Sequence, residues 1–197
     1  QTLRSRLAAV GGAPVERAAD RVADAVLALP EVRSAGGVLA CWSFGAEVST
    51  RGLVGRLAGL GREVFLPRID ARRRDGVMSL HGYPCDMERL RFGLEQPAAS
   101  APALAPGEID DRVDVALVLG LGFDRDGYRL GYGGGYFDRF LARHRAVPIG
   151  LGFDVQRVDS LPREAHDVPM ACVVTEAGVY RPGRSPEGRV GPRQRRC

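Results

Sequence analysis

The sequence predicts an α/β protein with a mostly parallel sheet and helices on both sides of it. Short apolar runs recur at residues 38–42, 63–66, 115–119, 147–153 and 171–175. The run 115–119 has no polar alternation at all, the pattern of a strand buried on both faces. Stretches with helical spacing lie between several of these runs. At 197 residues, 45% hydrophobic and 26% charged, the chain has the make-up of one domain with a substantial core.

In chain order, Leu3, Arg4, Arg6 and Leu7 open a short helix that ends near Gly11-Gly12. Pro14 suits the first turn of a second helix. Val15, Ala18, Ala19, Val22, Val26 and Leu29 form its apolar stripe, and Pro30 ends it. Residues 38–42 form a strand, and Ser49 or Thr50 then caps a helix that runs to Leu60. Glu47 lies in the loop after that strand, where α/β proteins place ligands. A surface loop acid is the plain alternative for Glu47, and core packing the alternative for Trp42. Residues 63–66 make the next strand, closed by Pro67-Arg68. Arg72, Arg73 and Arg74 read as a solvated turn. Residues 78–81 suggest another strand, in which His81 is structural. The Ala- and Pro-rich stretch 98–107 is a surface connector.

The segment 119–141, LGLGFDRDGYRLGYGGGYFDRFL, is the most informative. It follows the strand at 115–119 and contains seven glycines. Tyr136, Phe137, Phe140 and Leu141 then fall at helical spacing. Strand, glycine loop and helix in that order aim backbone N–H groups and a helix dipole at one point, where a phosphate can bind. Arg129 in the loop suits phosphate oxygens. Asp138, one turn into the helix, suits a Mg2+ that bridges phosphates. A tight turn is the alternative reading of the glycines. The string is neither GxxxxGK[ST] nor GxGxxG, because the chain has no lysine and Tyr136 stands where the third glycine would fall.

Composition narrows the classes further. No run approaches the length of a transmembrane helix, and residues 1–12 lack the apolar core of a signal peptide. Cys41, Cys85, Cys172 and Cys197 form no CxxC pair. Cys41 and Cys172 lie in apolar runs as expected for reduced thiols, which suits a cytoplasmic protein. Six arginines and one glutamate at 181–197 carry +5, against +4 for the whole chain, so the other 180 residues sum to −1. A disordered tail from 181 is expected, after a single domain at 1–180. Nucleic-acid binding through that tail is a second reading, and the near-neutral body speaks against it.

The string RLGYGGGYFDRFL at 129–141 resembles the signature of the 5-formyltetrahydrofolate cyclo-ligase family, and weaker matches follow in the family's order. These are Leu3-Arg4, Glu47 with Thr50, Pro67-Arg68, the 92–97 stretch FGLEQP, and Phe153, Gln156, Leu161-Pro162 and His166-Asp167. The resemblance implies a three-layer α/β/α fold similar to the sugar-isomerase and CoA-transferase group. It implies ATP as co-substrate, Mg2+ as cofactor and 5-formyltetrahydrofolate as substrate; a monomer with no membrane partner is expected. ATP falls to Arg4, Arg129, Leu130, Gly131, Tyr132, Gly133, Gly134, Gly135, Tyr136 and Phe137. The folate falls to Trp42 and Glu47 with Tyr132, Gly133, Gly134, Gly135 and Tyr136. Arg129 and Tyr136 are the implied catalytic residues, and Asp138 and Asp167 the implied metal ligands. Phe92 is placed near the folate, with core packing as its alternative. Leu119 replaces a common proline, Phe137 a common tyrosine, and Tyr132 and Gly134 stand where some relatives carry basic residues. A family member that binds nucleotide or folate without turnover is a further alternative.

Overall fold

Helix α1 (Ala13–Ala28) is the first element of the computed structural model, which describes residues 13–70 and 76–183. The expected helix near residues 3–7, Arg4, Arg72 to Arg74 and the tail beyond 183 lie outside the described residues. Ala18, Ala19, Val22, Val26 and Leu29 are buried as the stripe predicts, each apolar side chain the size of Val or Leu contributing roughly 1.5–3 kcal/mol. Pro30 ends α1 and also opens a second helix, α2 (Pro30–Ser34), because its fixed φ and missing N–H suit a first turn.

Strand β1 (Gly37–Ala40), helix α3 (Arg51–Gly59) and strand β2 (Glu63–Arg68) follow, with β1 and β2 parallel. Strand β3 (Ser79–Tyr83) returns antiparallel to β2. His81 in β3 is buried between Ser79 Oγ (2.9 Å) and the Ala101 carbonyl (3.0 Å), which fits the structural role expected of it. A small hairpin of β4 (Met87–Arg89) and β5 (Glu95–Pro97) stands apart from the main sheet. Helix α4 (Ile109–Arg112) leads into β6 (Val115–Leu119), which pairs parallel with β1 on the side away from β2. Beyond β6 come β7 (Gly122–Asp124), β8 (Arg129–Leu130), helix α5 (Tyr136–Leu141), β9 (Val147–Leu151) and β10 (Arg157–Val158). Strands β11 (Cys172–Thr175) and β12 (Gly178–Tyr180) complete the described order.

The main sheet has the order β12-β11-β9-β6-β1-β2-β3, parallel through its five inner strands and antiparallel at both edges. Its two faces carry separate cores. Val115, Leu117 and Leu119 of β6 pack with α1, α2 and α3, while Ala116 and Val118 pack with Ile109, Phe140 and Leu141 on the opposite face. These three layers explain why residues 115–119 are apolar without interruption: each is buried on one face or the other. The strand order reverses between β1 and β6. A crevice opens at the carboxyl ends of the strands where such a reversal occurs.

Candidate active site

The loop after β1 is held shut by reciprocal bonds. Thr50 Oγ1 donates to the Cys41 carbonyl (2.6 Å) and accepts from the Ser43 N–H (3.0 Å), while Ser43 Oγ accepts from the Thr50 N–H (3.0 Å). Thr50 precedes α3 as expected, but its side chain makes no helix cap; it is spent on this loop instead. The loop presents Glu47. One Glu47 oxygen accepts from the Phe44 N–H (3.0 Å), the other from the Tyr132 hydroxyl (3.1 Å). Burial pushes the Glu47 carboxyl above its ordinary pKa, against the pull of these two donors. Trp42 donates through Nε1 to Glu95 Oε2 (3.2 Å), and Arg51 pairs with the same oxygen (2.8 Å) while standing 5.0 Å from the Trp42 ring centroid.

On the other side of the crevice the chain leaves β6 as a hairpin, not as the single loop the glycines suggest. β7 and β8 pair antiparallel and deliver Arg129. Below them, buried Gln156 donates to the Gly120 carbonyl (2.6 Å) and accepts from the Phe153 N–H (2.7 Å). Arg129 Nη2 donates to Asp138 Oδ2 at 2.8 Å, with the two side chains 5% and 12% exposed. Arg129 Nη1 is buried and has no hydrogen-bond partner among the described residues. Between the pair runs the turn 131–135. It enters α5 through Gly135, whose φ of 62° is the left-handed conformation that glycine takes without strain. Because α5 has only six residues, its dipole is a smaller contribution than the sequence suggested. Arg139 secures that turn, donating to the Gly134 carbonyl (2.5 Å) and the Gly76 carbonyl (3.0 Å).

The third wall is the loop before Met170. Asp167 Oδ2 accepts from the Glu164 N–H (2.8 Å), and His166 Nε2 lies 3.9 Å from Asp167 Oδ1. The next residue, Val168, donates its N–H to Asp138 Oδ1 (3.5 Å), so the two aspartates come from adjoining walls.

These walls enclose a cleft of about 560 Å³, within the range of small-molecule sites. Trp42, Glu47, Arg129, Leu130, all of residues 131–137, Asp138 and Asp167 line it. The residues read from the sequence as ATP, folate or metal contacts are at the cleft except Arg4, which lies outside the described residues, and Phe92, whose side chain is not among those described. Of the FGLEQP stretch, Leu94, Glu95 and Gln96 line it. Sequence reading missed the Glu95 bridge to Trp42 and Arg51, and the anchoring by Arg139. The one signal for Arg139 was its place next to Asp138 in the glycine string.

Among the described residues no group of three or more His, Cys, Asp or Glu side chains could hold a metal alone. Asp138 and Asp167 both line the cleft and are the hard oxygen donors that Mg2+ takes alongside waters, while Asp138 already accepts from Arg129 and from the Val168 N–H.

The fold and cleft define a class: doubly wound α/β proteins whose ligand seat lies at the carboxyl edge, where the strand order reverses. Within that class, the profile of the 5-formyltetrahydrofolate cyclo-ligase family matches residues 1–176, and the chain belongs to that family. It is 29% identical over 182 residues to the 5-formyltetrahydrofolate cyclo-ligase of Escherichia coli (strain K12), across 90% of this chain and 98% of that one. It is 30% identical over 158 residues to the Haemophilus influenzae protein of the same name, across 78% of this chain and 83% of that one. The solved structure of Aquifex aeolicus 5,10-methenyltetrahydrofolate synthetase superposes with a TM-score of 0.73 at 30% identity, covering 94% of this chain and 92% of that one.

Proposed function

We propose that the cleft carries out the reaction for which the family is named, closure of 5-formyltetrahydrofolate to 5,10-methenyltetrahydrofolate, driven by ATP with release of ADP and phosphate. The observation that carries this reading is the division of the cleft. Trp42 and Glu47 stand on the β1 side; Arg129, the glycine turn, Asp138 and Asp167 stand on the β6 side. One side offers a ring and a carboxylate to a pterin, the other offers charge and amides to a triphosphate.

The formyl oxygen is a poor leaving group. Its attack on the γ-phosphorus, with ADP departing, turns it into a phosphate ester on an imine carbon. N10 then adds to that carbon and loses its proton, and the C–O bond breaks with its electrons leaving on phosphate. No protein nucleophile is needed, so the residues align the reactants and neutralise charge. Arg129, whose Nη1 has no partner among the described residues, faces the phosphates. Tyr136 and the turn 131–135 hold them against the formyl oxygen. The Glu47 carboxylate accepts from the pterin N–H and amino group, and Trp42 lies along the ring. The Tyr132 hydroxyl bond to Glu47 ties the glycine turn to the folate side. Asp138 and Asp167 would hold Mg2+, which when bound supplies charge neutralisation to the phosphates.

The test is incubation of the purified protein with 5-formyltetrahydrofolate, ATP and Mg2+, following the near-ultraviolet absorbance of the methenyl product. Growth that requires all three, with one ADP per turnover, is expected. Binding of nucleotide and folate with no absorbance change would overturn catalysis and leave a binding protein.

A further inference from the structure

One carboxylate behind the cleft joins two stretches of backbone. Asp124 ends β7 with its side chain fully buried. Its Oδ1 accepts from the N–H groups of Asp126 (3.0 Å) and Tyr128 (2.9 Å), which shapes the turn that leads straight into Arg129. Its Oδ2 accepts from the Leu161 N–H (3.2 Å) and from Arg163 Nη2 (3.0 Å). The same nitrogen of Arg163 reaches Asp126 Oδ2, and the guanidinium lies 4.2 Å from the Tyr128 ring centroid.

Leu161 and Arg163 begin the loop that carries Glu164, His166 and Asp167 to the cleft. The far end of that loop returns to the same turn, where the Met170 N–H donates to the Gly127 carbonyl (2.8 Å). Gly127 has a φ of 87°, and a Cβ there would stand 2.7 Å from the Met170 carbonyl oxygen. Turn and loop thus meet backbone to backbone, an approach open to glycine alone. The turn 124–128 grips the Asp167 loop at both ends and hands Arg129 to the cleft. Arg163 and Asp124 themselves do not line that cleft.

We propose that Asp124 and Arg163 form a clasp, with Arg163 a positioning residue that sets Asp167 against Asp138 and Arg129. The proposal rests on the reading that those three serve the phosphate end. Asp124 has four donors around one buried carboxylate, so its removal strands several of them and threatens the fold. Arg163 is 38% exposed, and its loss lets water reach Asp124 while the turn keeps its own bonds. The clasp makes no hydrogen bond to Trp42 or Glu47, so its effect falls on one end of the cleft only.

The experiment uses Arg163→Ala and Arg163→Lys. In hydrogen exchange of the protein alone, amides of residues 161–170 exchange roughly tenfold faster in the Ala variant, with the strands of the main sheet unchanged. Affinity for a non-hydrolysable ATP analogue with Mg2+ falls roughly tenfold, while affinity for 5-formyltetrahydrofolate stays within about twofold. The Lys variant recovers most of both effects, because an ammonium still faces Asp124 and Asp126. Unchanged exchange at 161–170, equal weakening of both ligands, or a Lys variant as loose as the Ala one would overturn the clasp. An inactive wild-type protein whose loop loosens on losing Arg163 would overturn the functional reading and spare the clasp.

Discussion

Arg129 and Asp138, nine residues apart in sequence, meet at 2.8 Å with almost no exposure, and the second amino nitrogen of Arg129 has no partner among the described residues. A buried pair of this kind is strained by the loss of either member, because the survivor keeps a charge out of water. Asp138→Asn retains an oxygen for Arg129 but not the countercharge. Its expected cost is about 2 kcal/mol in urea unfolding. Cyclisation should fall at least roughly a hundredfold. Far-ultraviolet circular dichroism should match the wild type. Full activity in this variant would remove Asp138 from the phosphate end.

Glu47, which the proposed function places against the folate, also gives the protein a pH-dependent stability. Its folded pKa lies above the ordinary value of 4.5 because burial penalises the charge. Below 4.5 both folded and unfolded chains are protonated there and no penalty exists. As pH rises through the raised folded value, the native state must hold the charge and the penalty becomes complete. Glu47→Gln removes it. The melting temperature of the variant, relative to wild type, should therefore climb from about pH 4 to about pH 7. The slope is the measurement, since the offset at one pH also contains a lost hydrogen bond. Affinity for 5-formyltetrahydrofolate should fall roughly tenfold or more, with ATP affinity within about twofold. An ATP-selective defect would overturn the role given to Glu47.

The thiols should divide by burial. Cys41 lines the cleft but is buried, and burial pushes its pKa up to about 12; Cys172 is pushed to about 11. At pH 8 the thiolate fraction of Cys41 is on the order of one in ten thousand. Iodoacetamide on the native protein should label Cys85, which is only partly buried, and spare Cys41 and Cys172 until denaturant is added. Mass spectrometry of native Cys41 alkylation would show that the wall of the cleft opens.

The strands most legible in the sequence are the inner ones of the main sheet, where burial on both faces forces an apolar run. β1, β2, β6, β9 and β11 carry that trace, and the edge strand β3 is read as well. β4, β5, β7, β8, β10 and β12 are not, because two- or three-residue strands carry no measurable period. At the cleft, residue identity was legible and pairing was not. Arg129 and Asp138 read as separate phosphate and metal groups because nothing in the string shows the turn 131–135 bringing one onto the other. Arg163 gives no signal in the sequence, because its tie to Asp124 spans 39 residues.

Gln156 tests whether the start of the glycine segment is held by a side chain. It is 1% exposed, donates to the Gly120 carbonyl and accepts from the Phe153 N–H. Leucine fills a similar volume but leaves that carbonyl and that N–H buried without partners. Gln156→Leu should cost about 2–4 kcal/mol in urea unfolding, although it makes the core more apolar. Gln156→Glu separates hydrogen bonding from packing. A glutamate can still accept from Phe153, but when ionised its second oxygen opposes the Gly120 carbonyl, and when protonated it can donate there. Burial should raise its pKa, so the Glu variant should be less stable than wild type at about pH 7 and regain stability as pH falls toward 5. A Leu variant as stable as wild type, or a Glu variant with no pH response, would mean that Gly120 is held by the hairpin alone.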